Sequence, residues 1–460
     1  NYFDNYLEPL FYKALNESRG ENAYYTLLHC KVPFLNGGLF EPLDNYDWDN
    51  NQFDIDNEMF SNIEEKGQWN ATGILDIFDR YNFTMNEDEP LEKEVAVDPE
   101  MLGKIFENLL DVKDRKSKGA FYTPREIVHY MCQESLVNYL VNETGLNYDD
   151  LKDFILYGEF MKDEDTSRET KQNIGDMLIS KNILDGSFEE KNKVRYLIPT
   201  VNRLIDIDNA LANIKVCDPA VGSGAFPLGM INEIVKARIN ITEYLALMDS
   251  NPQNRLIMHK GTRDPYRLKL DTIKNSIYAV DIEASAVDIT KLRLCLSLVV
   301  DAETDPTADE YSLFEATRNP KPLPNLDCNI RCGNSLIDEI NGVKLIKETA
   351  LFGDSTYQTA IGQNVYENIL TELFAAQDKL FSEKDHNEKE LLKNKIAKFK
   401  DHLIMENVKG TVAEAEYQST KNNASLPYFV WQLEFAKVFK DKGGFDVVIG
   451  NERELLGLIA

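Results

Sequence analysis

Apolar positions along this chain fall into two periods, one helical and one strand-like, and the change between them divides the sequence. Over residues 6–15, Tyr6, Leu7, Leu10, Phe11 and Leu15 recur every third or fourth position, which predicts an amphipathic helix. Leu35-Asn36-Gly37-Gly38-Leu39-Phe40-Glu41-Pro42 then reads as a turn. Met101, Leu102, Ile105, Phe106, Leu109 and Leu110 repeat the helical spacing behind Asp98-Pro99, a pair suited to open a helix. Another helical face, Ile127, Val128, Met131 and Leu136, follows Thr123-Pro124. There Thr123 is predicted as N-cap, with Pro124 at the first helical position.

From residue 214 the pattern shortens. Residues 214–217 predict a buried strand, Gly222 and Gly224 a turn, and Phe226, Leu228, Ile231, Ile234 and Val235 the buried side of the next helix. A second strand is predicted at 276–281, followed by a helix at 285–300 that is apolar nearly all round. A third strand follows at 329–332, and a return strand at 445–449. Strands alternating with helices predict an α/β fold with a doubly wound, Rossmann-like sheet. In between, Ile369, Leu370, Leu373, Phe374, Leu380, Phe381, Leu391, Leu392, Ile396, Phe399 and Leu403 keep helical spacing among dense charges. They predict a helical hairpin or short coiled-coil arm, since a charged linker would carry fewer large apolar residues. The chain thus divides into a helical N-terminal or connector region (1–118), a helical lead-in (119–213), an α/β core (214–341), a helical insertion (342–426) and a return strand (427–460).

Composition narrows the class. A chain of 460 residues has enough length for more than one core, and 43% hydrophobic residues is ordinary for a globular protein. No apolar run is long enough to cross a bilayer, and the opening Asn-Tyr-Phe-Asp has no signal-peptide pattern, so a cytoplasmic, non-membrane protein is expected. An aromatic helical segment at once, without an initiator Met, predicts a chain that begins inside something larger. Six cysteines, at 30, 132, 217, 295, 328 and 332, are sparse and predict reduced thiols. Cys328 and Cys332 have no second ligand pair, so no metal site is expected. A net charge of −28 argues against a chain whose main surface grips nucleic-acid phosphates. The short basic run 113–118 reads as a solvated linker or as one of the few clusters able to meet one.

The chemistry concentrates at predicted strand ends, where ligands bind in open α/β sheets. Asp218 closes the first strand, and Gly222 and Gly224 let backbone N–H groups approach a ligand with no Cβ in the way. Asp281 closes the second strand and Asn334 follows the third.

Asp218-Pro219-Ala220-x-Gly222-Ser223-Gly224-x-Phe226 closely resembles the S-adenosyl-L-methionine (SAM) binding motif of DNA adenine-N6 methyltransferases. Gly119-Ala120-Phe121-Tyr122-Thr123-Pro124 before it, with Gly333-Asn334-Ser335-Leu336 and Phe445-Asp446-Val447-Val448-Ile449-Gly450-Asn451 after it, extend the likeness. Together with Leu35-Asn36-Gly37-Gly38-Leu39-Phe40-Glu41, the series is similar to type IIG, Eco57I-like restriction–modification enzymes over roughly residues 35–451. The resemblance implies a class I SAM-dependent methyltransferase sheet and a cofactor pocket of Phe121, Tyr122, Thr123, Asp218, Pro219, Ala220, Gly222, Gly224, Asp281, Ile282 and Asn334. Asp218 would accept from the cofactor's ammonium and Asp281 from its ribose hydroxyls. Ile282 would pack on the adenine, and Asn334 would pair with the adenine edge. Asn451 would be the catalytic acceptor for the target amine.

One departure stands out. In the family a proline pair and a base-stacking ring follow the catalytic Asn, but here Glu452-Arg453-Glu454 follows Asn451. Three origins fit: a join across a missing loop, a chain that stops with unrelated residues, or a degenerate site. The expectation is therefore a SAM-binding portion of an adenine-specific DNA methyltransferase, incomplete for catalysis by itself. Double-stranded DNA would be gripped through parts largely absent from this chain, with nuclease and target-recognition domains elsewhere in a parent protein. A non-catalytic SAM-binding scaffold subunit and a methyltransferase of RNA or protein are the alternatives.

Overall fold

A computed structural model of the chain describes residues 1–17, 19, 24–32, 34–35, 40, 46–53, 55–67, 69–84, 94–96, 123–158, 203–248, 263–300, 323–346, 360–383, 385–423 and 426–451. The helix predicted over 101–110, the basic run at 113–118, Phe121, Tyr122 and the residues after Asn451 lie outside these. Two compact units divide the chain. One comprises Glu107–Thr290, Asn329–Asp354 and Asn407–Ala460, and the other Asn1–Phe106, Lys291–Cys328 and Ser355–Glu406.

The first of these carries the sheet. Strands β1 (Val216–Asp218), β2 (Ile277–Asp281), β3 (Ile330–Cys332) and β4 (Val447–Val448) are all parallel, in the spatial order β4-β1-β2-β3. The last strand in sequence thus pairs with the first, Val447 opposite Val216 and Val448 opposite Cys217. Strand order reverses at β1, with β2 on one side and β4 on the other, which is where open α/β sheets form their ligand crevice. The fold class is the α/β, Rossmann-like one that the alternating pattern predicts.

Strand limits differ from the sequence reading for local reasons. Ser276 is the last residue of a helix, so β2 starts one residue late. Lys215 donates its N–H to the Asp446 carboxylate (2.7 Å) before the ladder begins, so β1 starts at Val216.

Among the helices that accompany the sheet are α1 (Arg125–Thr144), α2 (Tyr148–Tyr157), α3 (Leu204–Asn213), α4 (Ala225–Met248), α5 (Pro265–Ser276) and α6 (Ala284–Val300). Thr123 is not the cap of α1. Pro124 takes that place, and its carbonyl accepts from the N–H groups of Ile127 (3.0 Å) and Val128 (3.1 Å). The proline, with φ fixed and ψ extended, serves as the half-in flanking residue, so the helix opens one residue later than predicted.

Helix α4 buries Phe226, Leu228, Ile231, Ile234 and Val235, the face its periodicity predicts. It crosses α1 closely at Gly229, where a Cβ would stand 2.6 Å from a Val128 methyl. A partly buried ion network ties α3 to α4 and to the approach of α5. Asp208 accepts from Arg238 Nε (3.0 Å) and, through both oxygens, from Arg263 Nη1 (2.8 Å) and Nη2 (2.7 Å). Burial alone would raise the Asp208 pKa, but the hydrogen bonds and charges of Arg263 and Arg238 outweigh it and carry it below the ordinary value.

Alternation along β2 sends Tyr278 and Val280 to one face of the sheet. There they meet an apolar cluster of Phe429, Phe435 and Val438, with Trp431, Phe439 and Phe445 packed against it. Tyr278 contacts Phe435 edge-on at 5.2 Å between centroids. Trp431 also donates its indole N–H to the Ser335 carbonyl (2.9 Å), which pins the 428–431 segment beside the chain leaving β3. Each large side chain buried here stabilises the unit by about 1.5–3 kcal/mol.

In the other unit, the segment predicted as an amphipathic helix forms two π-helical turns instead, Phe3–Leu7 and Pro9–Ala14. Pro9 has no N–H to continue the i→i−4 ladder, and the chain opens into wider turns on either side of it. As a result Ala14 and Glu8 are buried while Tyr6 and Phe11 are exposed. The Glu8 carboxylate accepts from the Tyr46 hydroxyl (2.9 Å).

The apolar periodicity over 369–403 becomes two helices, α7 (Ala360–Ser382) and α8 (His386–Val408). Leu370, Leu373, Ala376 and Leu380 are buried on α7, and Leu392, Ile396, Leu403 and Ile404 on α8. Ion pairs Glu372–Lys395 (3.0 Å) and Lys379–Glu388 (3.1 Å) join them as an antiparallel pair. Such exposed pairs contribute about 1 kcal/mol at most, so the apolar faces set the register.

Candidate functional site

Asp218 and Asp281, with the residues that follow each, lie at the carboxyl ends of β1 and β2. Asp218 ends β1 with 2% of its surface exposed. Its Oδ1 accepts from the Ala220 N–H (3.1 Å), while among the described residues its buried Oδ2 has no hydrogen-bond partner. Burial pushes the Asp218 carboxyl up to about 8, and the nearby Asp281 charge adds to the shift, against the opposing Ala220 bond.

Asp281 ends β2 and is also buried, which raises its pKa too. Both of its oxygens are engaged: Oδ2 accepts from Gly222 N–H (2.8 Å) and Oδ1 from Glu283 N–H (2.8 Å). Asp281 therefore holds the glycine turn of the neighbouring strand in place. Gly222 and Gly224 both have positive φ, 51° and 84°. At Gly224 a Cβ would also stand 2.9 Å from the Thr290 side chain, whose hydroxyl donates to the Gly222 carbonyl (3.0 Å). Ala220 is buried inside this turn and Pro219 is half-buried.

Ile282 follows Asp281, half-buried. Asn334 lies just past β3, linked to the same corner because Gly333 donates its N–H to the Asp281 carbonyl (2.8 Å). Its own N–H reaches the Leu426 carbonyl (3.0 Å), and its side-chain Oδ1 turns back to the Leu336 N–H (3.2 Å).

Asn451 approaches from the other side of β1. Ile449 N–H donates to the Cys217 carbonyl (3.0 Å), and Gly450 then passes so close to Asp218 that a Cβ would stand 2.8 Å from Oδ1. The Asn451 carboxamide donates through Nδ2 to the Thr123 hydroxyl oxygen (3.2 Å). Thr123 and Asn451, 328 residues apart in sequence, thus share one end of the sheet with Asp218.

Chemically, the two carboxylates differ in kind. Each Asp281 oxygen already takes a backbone donor and keeps capacity for one more. Asp218 keeps one buried acceptor unpaired, an arrangement that costs free energy unless the group is protonated or meets a cation bearing N–H donors. An ammonium beside glycine-rich backbone fits that corner.

Sequence reasoning missed three contacts. Gly450 closes on Asp218, a proximity that no short-range pattern encodes. Residues 426–431 lie along the exit of β3, for which the apolar run Tyr428-Phe429-Val430-Trp431 was the available signal. His129 Nδ1 meets the buried Glu233 carboxylate at 2.7 Å between α1 and α4. A groove of about 540 Å³ beside α1 and β4 is lined by Glu134, Glu143 and Asp446 among others. None of the predicted site residues lines it, and three carboxylates make it unsuited to phosphate. Among the described residues no group of three or more His, Cys, Asp or Glu could hold a metal ion, and no helix is long and apolar enough to cross a membrane.

Comparison with known proteins places this geometry in context. Residues 275–451 match the family model described as Eco57I restriction-modification methylase, and the match ends on Asn451. Over 347 residues the chain is 30% identical to a Methanocaldococcus jannaschii protein assigned by name as a type II restriction enzyme and methyltransferase. That similarity covers 74% of this chain and 24% of the relative, so the chain spans about a quarter of the length of the curated relative it matches. No solved structure matches.

Proposed function

We propose that the chain, whose residues 275–451 match the Eco57I restriction-modification methylase family model, binds SAM and forms the methyl-donor half of an adenine-N6 DNA methyltransferase. The cofactor supplies an electrophilic methyl group on a sulfonium. Asp218 receives the cofactor's ammonium on its unpaired Oδ2, and the Gly222–Gly224 turn lets backbone lie against the methionyl part. Asp281 faces the ribose, Ile282 the adenine face and Asn334 the adenine edge. Thr123 borders the same pocket, and Phe121 and Tyr122 are assigned to it by the resemblance of their motif alone. Asn451 would accept from the amino group of the target adenine and so orient it.

The observation that carries this reading is the contact of Gly450 with Asp218. Residue 451 follows directly on the glycine that touches Asp218, which supports a site in which the proposed acceptor and the proposed cofactor carboxylate lie side by side. A net charge of −28 favours a division of labour in which other parts of a longer restriction–modification protein hold the duplex.

Calorimetric titration of the chain with SAM tests the first half. Binding by the wild type and its loss in Asp218→Ala is the expected result, and a wild type that binds no SAM overturns the reading. Transfer of labelled methyl to adenine N6 in mixed-sequence duplex DNA, by a protein of the relative's length, tests the second half. SAM binding without transfer would leave a scaffold role.

A further inference from the structure

We infer that Thr290 is a positioning residue for the methionyl end of the cofactor: its hydroxyl holds the Gly222 carbonyl toward α6 and keeps the glycine turn in the form that meets that end. The inference rests on the reading of this turn as a SAM site.

The turn is weakly determined by its own sequence, because Gly222 and Gly224 have no Cβ to restrict them at φ of 51° and 84°. Hydrogen bonds from neighbouring elements supply what is missing. Val221 donates its N–H to the Val280 carbonyl (2.9 Å), and Gly222 donates its own to Asp281 Oδ2 (2.8 Å). Both bonds act on the peptide groups that lead into Gly222. The Gly222 carbonyl belongs to the next peptide group, and there the partner is Thr290 Oγ1, which donates to it at 3.0 Å. No other donor to that carbonyl is present among the described residues.

Thr290 is fully buried on α6, where a threonine hydroxyl ordinarily turns back to a carbonyl of the preceding helical turn. A hydroxyl has one hydrogen to donate, and Thr290 spends it on a residue 68 positions away. The same side chain backs the other glycine, since a Cβ at Gly224 would stand 2.9 Å from it. Thr290 thus touches the turn at both of its flexible points. A valine methyl in place of the hydroxyl would lie closer to the carbonyl oxygen than the roughly 3.3–3.6 Å of a carbon–oxygen contact. The carbonyl would lose its donor and leave α6. The turn would then occupy several forms, and cofactor binding would bear the cost of reordering it. The adenosine end is spared, because Ile282 and Asn334 follow other strands and Asp281 holds the peptide group before Gly222.

Calorimetric titration of Thr290 variants with two ligands reads this division. SAM carries the methionyl end, whereas 5′-methylthioadenosine keeps the adenosine and lacks the amino-acid carbons. Thr290→Val is expected to weaken SAM about tenfold, the equivalent of one hydrogen bond, and 5′-methylthioadenosine by less than about twofold. Thr290→Ser keeps the donor and should bind SAM nearly as the wild type does. Thr290→Ala removes the donor without crowding the carbonyl, and repeats the measurement if the valine protein fails to fold. The carbonyl itself is followed by NMR with ¹³C-carbonyl glycine and ¹⁵N-serine. Two Gly-Ser peptide groups exist, at 186–187 and 222–223, and Ser187→Ala removes the first signal. The Gly222 carbonyl resonance should move upfield in Thr290→Val and Thr290→Ala and stay in place in Thr290→Ser.

Equal weakening of both ligands would overturn the inference, because Thr290 would then support the whole pocket as ordinary packing. Unchanged SAM affinity in Thr290→Val and Thr290→Ala, or an unmoved Gly222 carbonyl, would overturn it as well. A wild type that binds neither ligand, with the carbonyl shift still present, would overturn the proposed function and leave the Thr290–Gly222 contact standing.

Discussion

Gly450 and Asp218 are held so closely that the glycine has no space for a side chain: a Cβ would stand 2.8 Å from the Asp218 Oδ1 and 3.6 Å from Pro219 Cδ. The carboxylate at the end of β1 and the residue before Asn451 therefore cannot move independently. Any group added at 450 must displace the oxygen that Ala220 holds.

Gly450→Ala is accordingly expected to act on SAM binding although residue 450 lies outside the cofactor motif. The displaced carboxyl should weaken binding about tenfold and destabilise the unit by about 1–3 kcal/mol, the usual cost of overpacking. Calorimetric titration with SAM, alongside urea unfolding, reads both effects.

The buried Asp218 carboxyl gives a pH signature. Its pKa in the folded chain, about 8, lies above its ordinary value of 3.8. Between those two values the folded state binds more protons than the unfolded state, so the contribution of this group to stability falls as pH rises through the window. It is fully present below about pH 4 and lost above about pH 8. Asp218→Asn should flatten that part of the stability profile and make the free chain more stable at pH 8.5, while abolishing SAM binding. Binding of the cofactor's ammonium below pH 8 should also release close to one proton, visible as a dependence of the calorimetric heat on buffer ionisation enthalpy.

Gly224→Ala meets two obstacles at once, a φ of 84° and a Thr290 side chain 2.9 Å from the new Cβ. A left-handed backbone at a non-glycine residue costs about 1–2 kcal/mol before the clash is counted. Loss of at least about 2 kcal/mol in urea unfolding is expected, together with loss of SAM binding.

Asp208 joins two arginines in a partly buried network, and Asp208→Ala leaves both guanidinium groups without their shared carboxylate. Removal of one partner from such a site costs about 3–5 kcal/mol. Because the Asp208 pKa is depressed on folding, its stabilisation is present above the ordinary carboxylate range and lost as pH falls through the depressed value. The wild type, and not Asp208→Ala, should show that acid limb in pH-dependent unfolding.

Local pattern carried much of the fold because the signals were local. Asp218, Gly222, Gly224 and Phe226 lie within nine positions, and the turn they form is set by the glycine conformations and the helix face beside it. Asp281 could be read as a strand end from the apolar run before it. What remained hidden depended on residues far apart in sequence. No spacing shows that Gly450 rests on Asp218, that Asp281 secures the Gly222 turn, or that Thr123 meets Asn451 instead of capping α1. The N-terminal turns were misjudged for a different reason. Their apolar spacing suits an α-helix, but Pro9 breaks the ladder and shifts the buried face to Glu8 and Ala14.

The pairing of β4 with β1 also has a consequence for the time course of synthesis. Lys215 and its partner Asp446, at the start of that pairing, are 231 residues apart. At roughly 5–20 residues per second, the ribosome leaves β1 without this neighbour for on the order of tens of seconds. During that interval the outer edge of β1 is a bare template for mispairing, and the corner that will carry Asp218 is open to water. Arrival of β4 ends both conditions in one step. Protection of the nascent sheet and completion of the pocket are therefore a single late event, and slow decoding shortly before residue 445 would prolong the exposure of both.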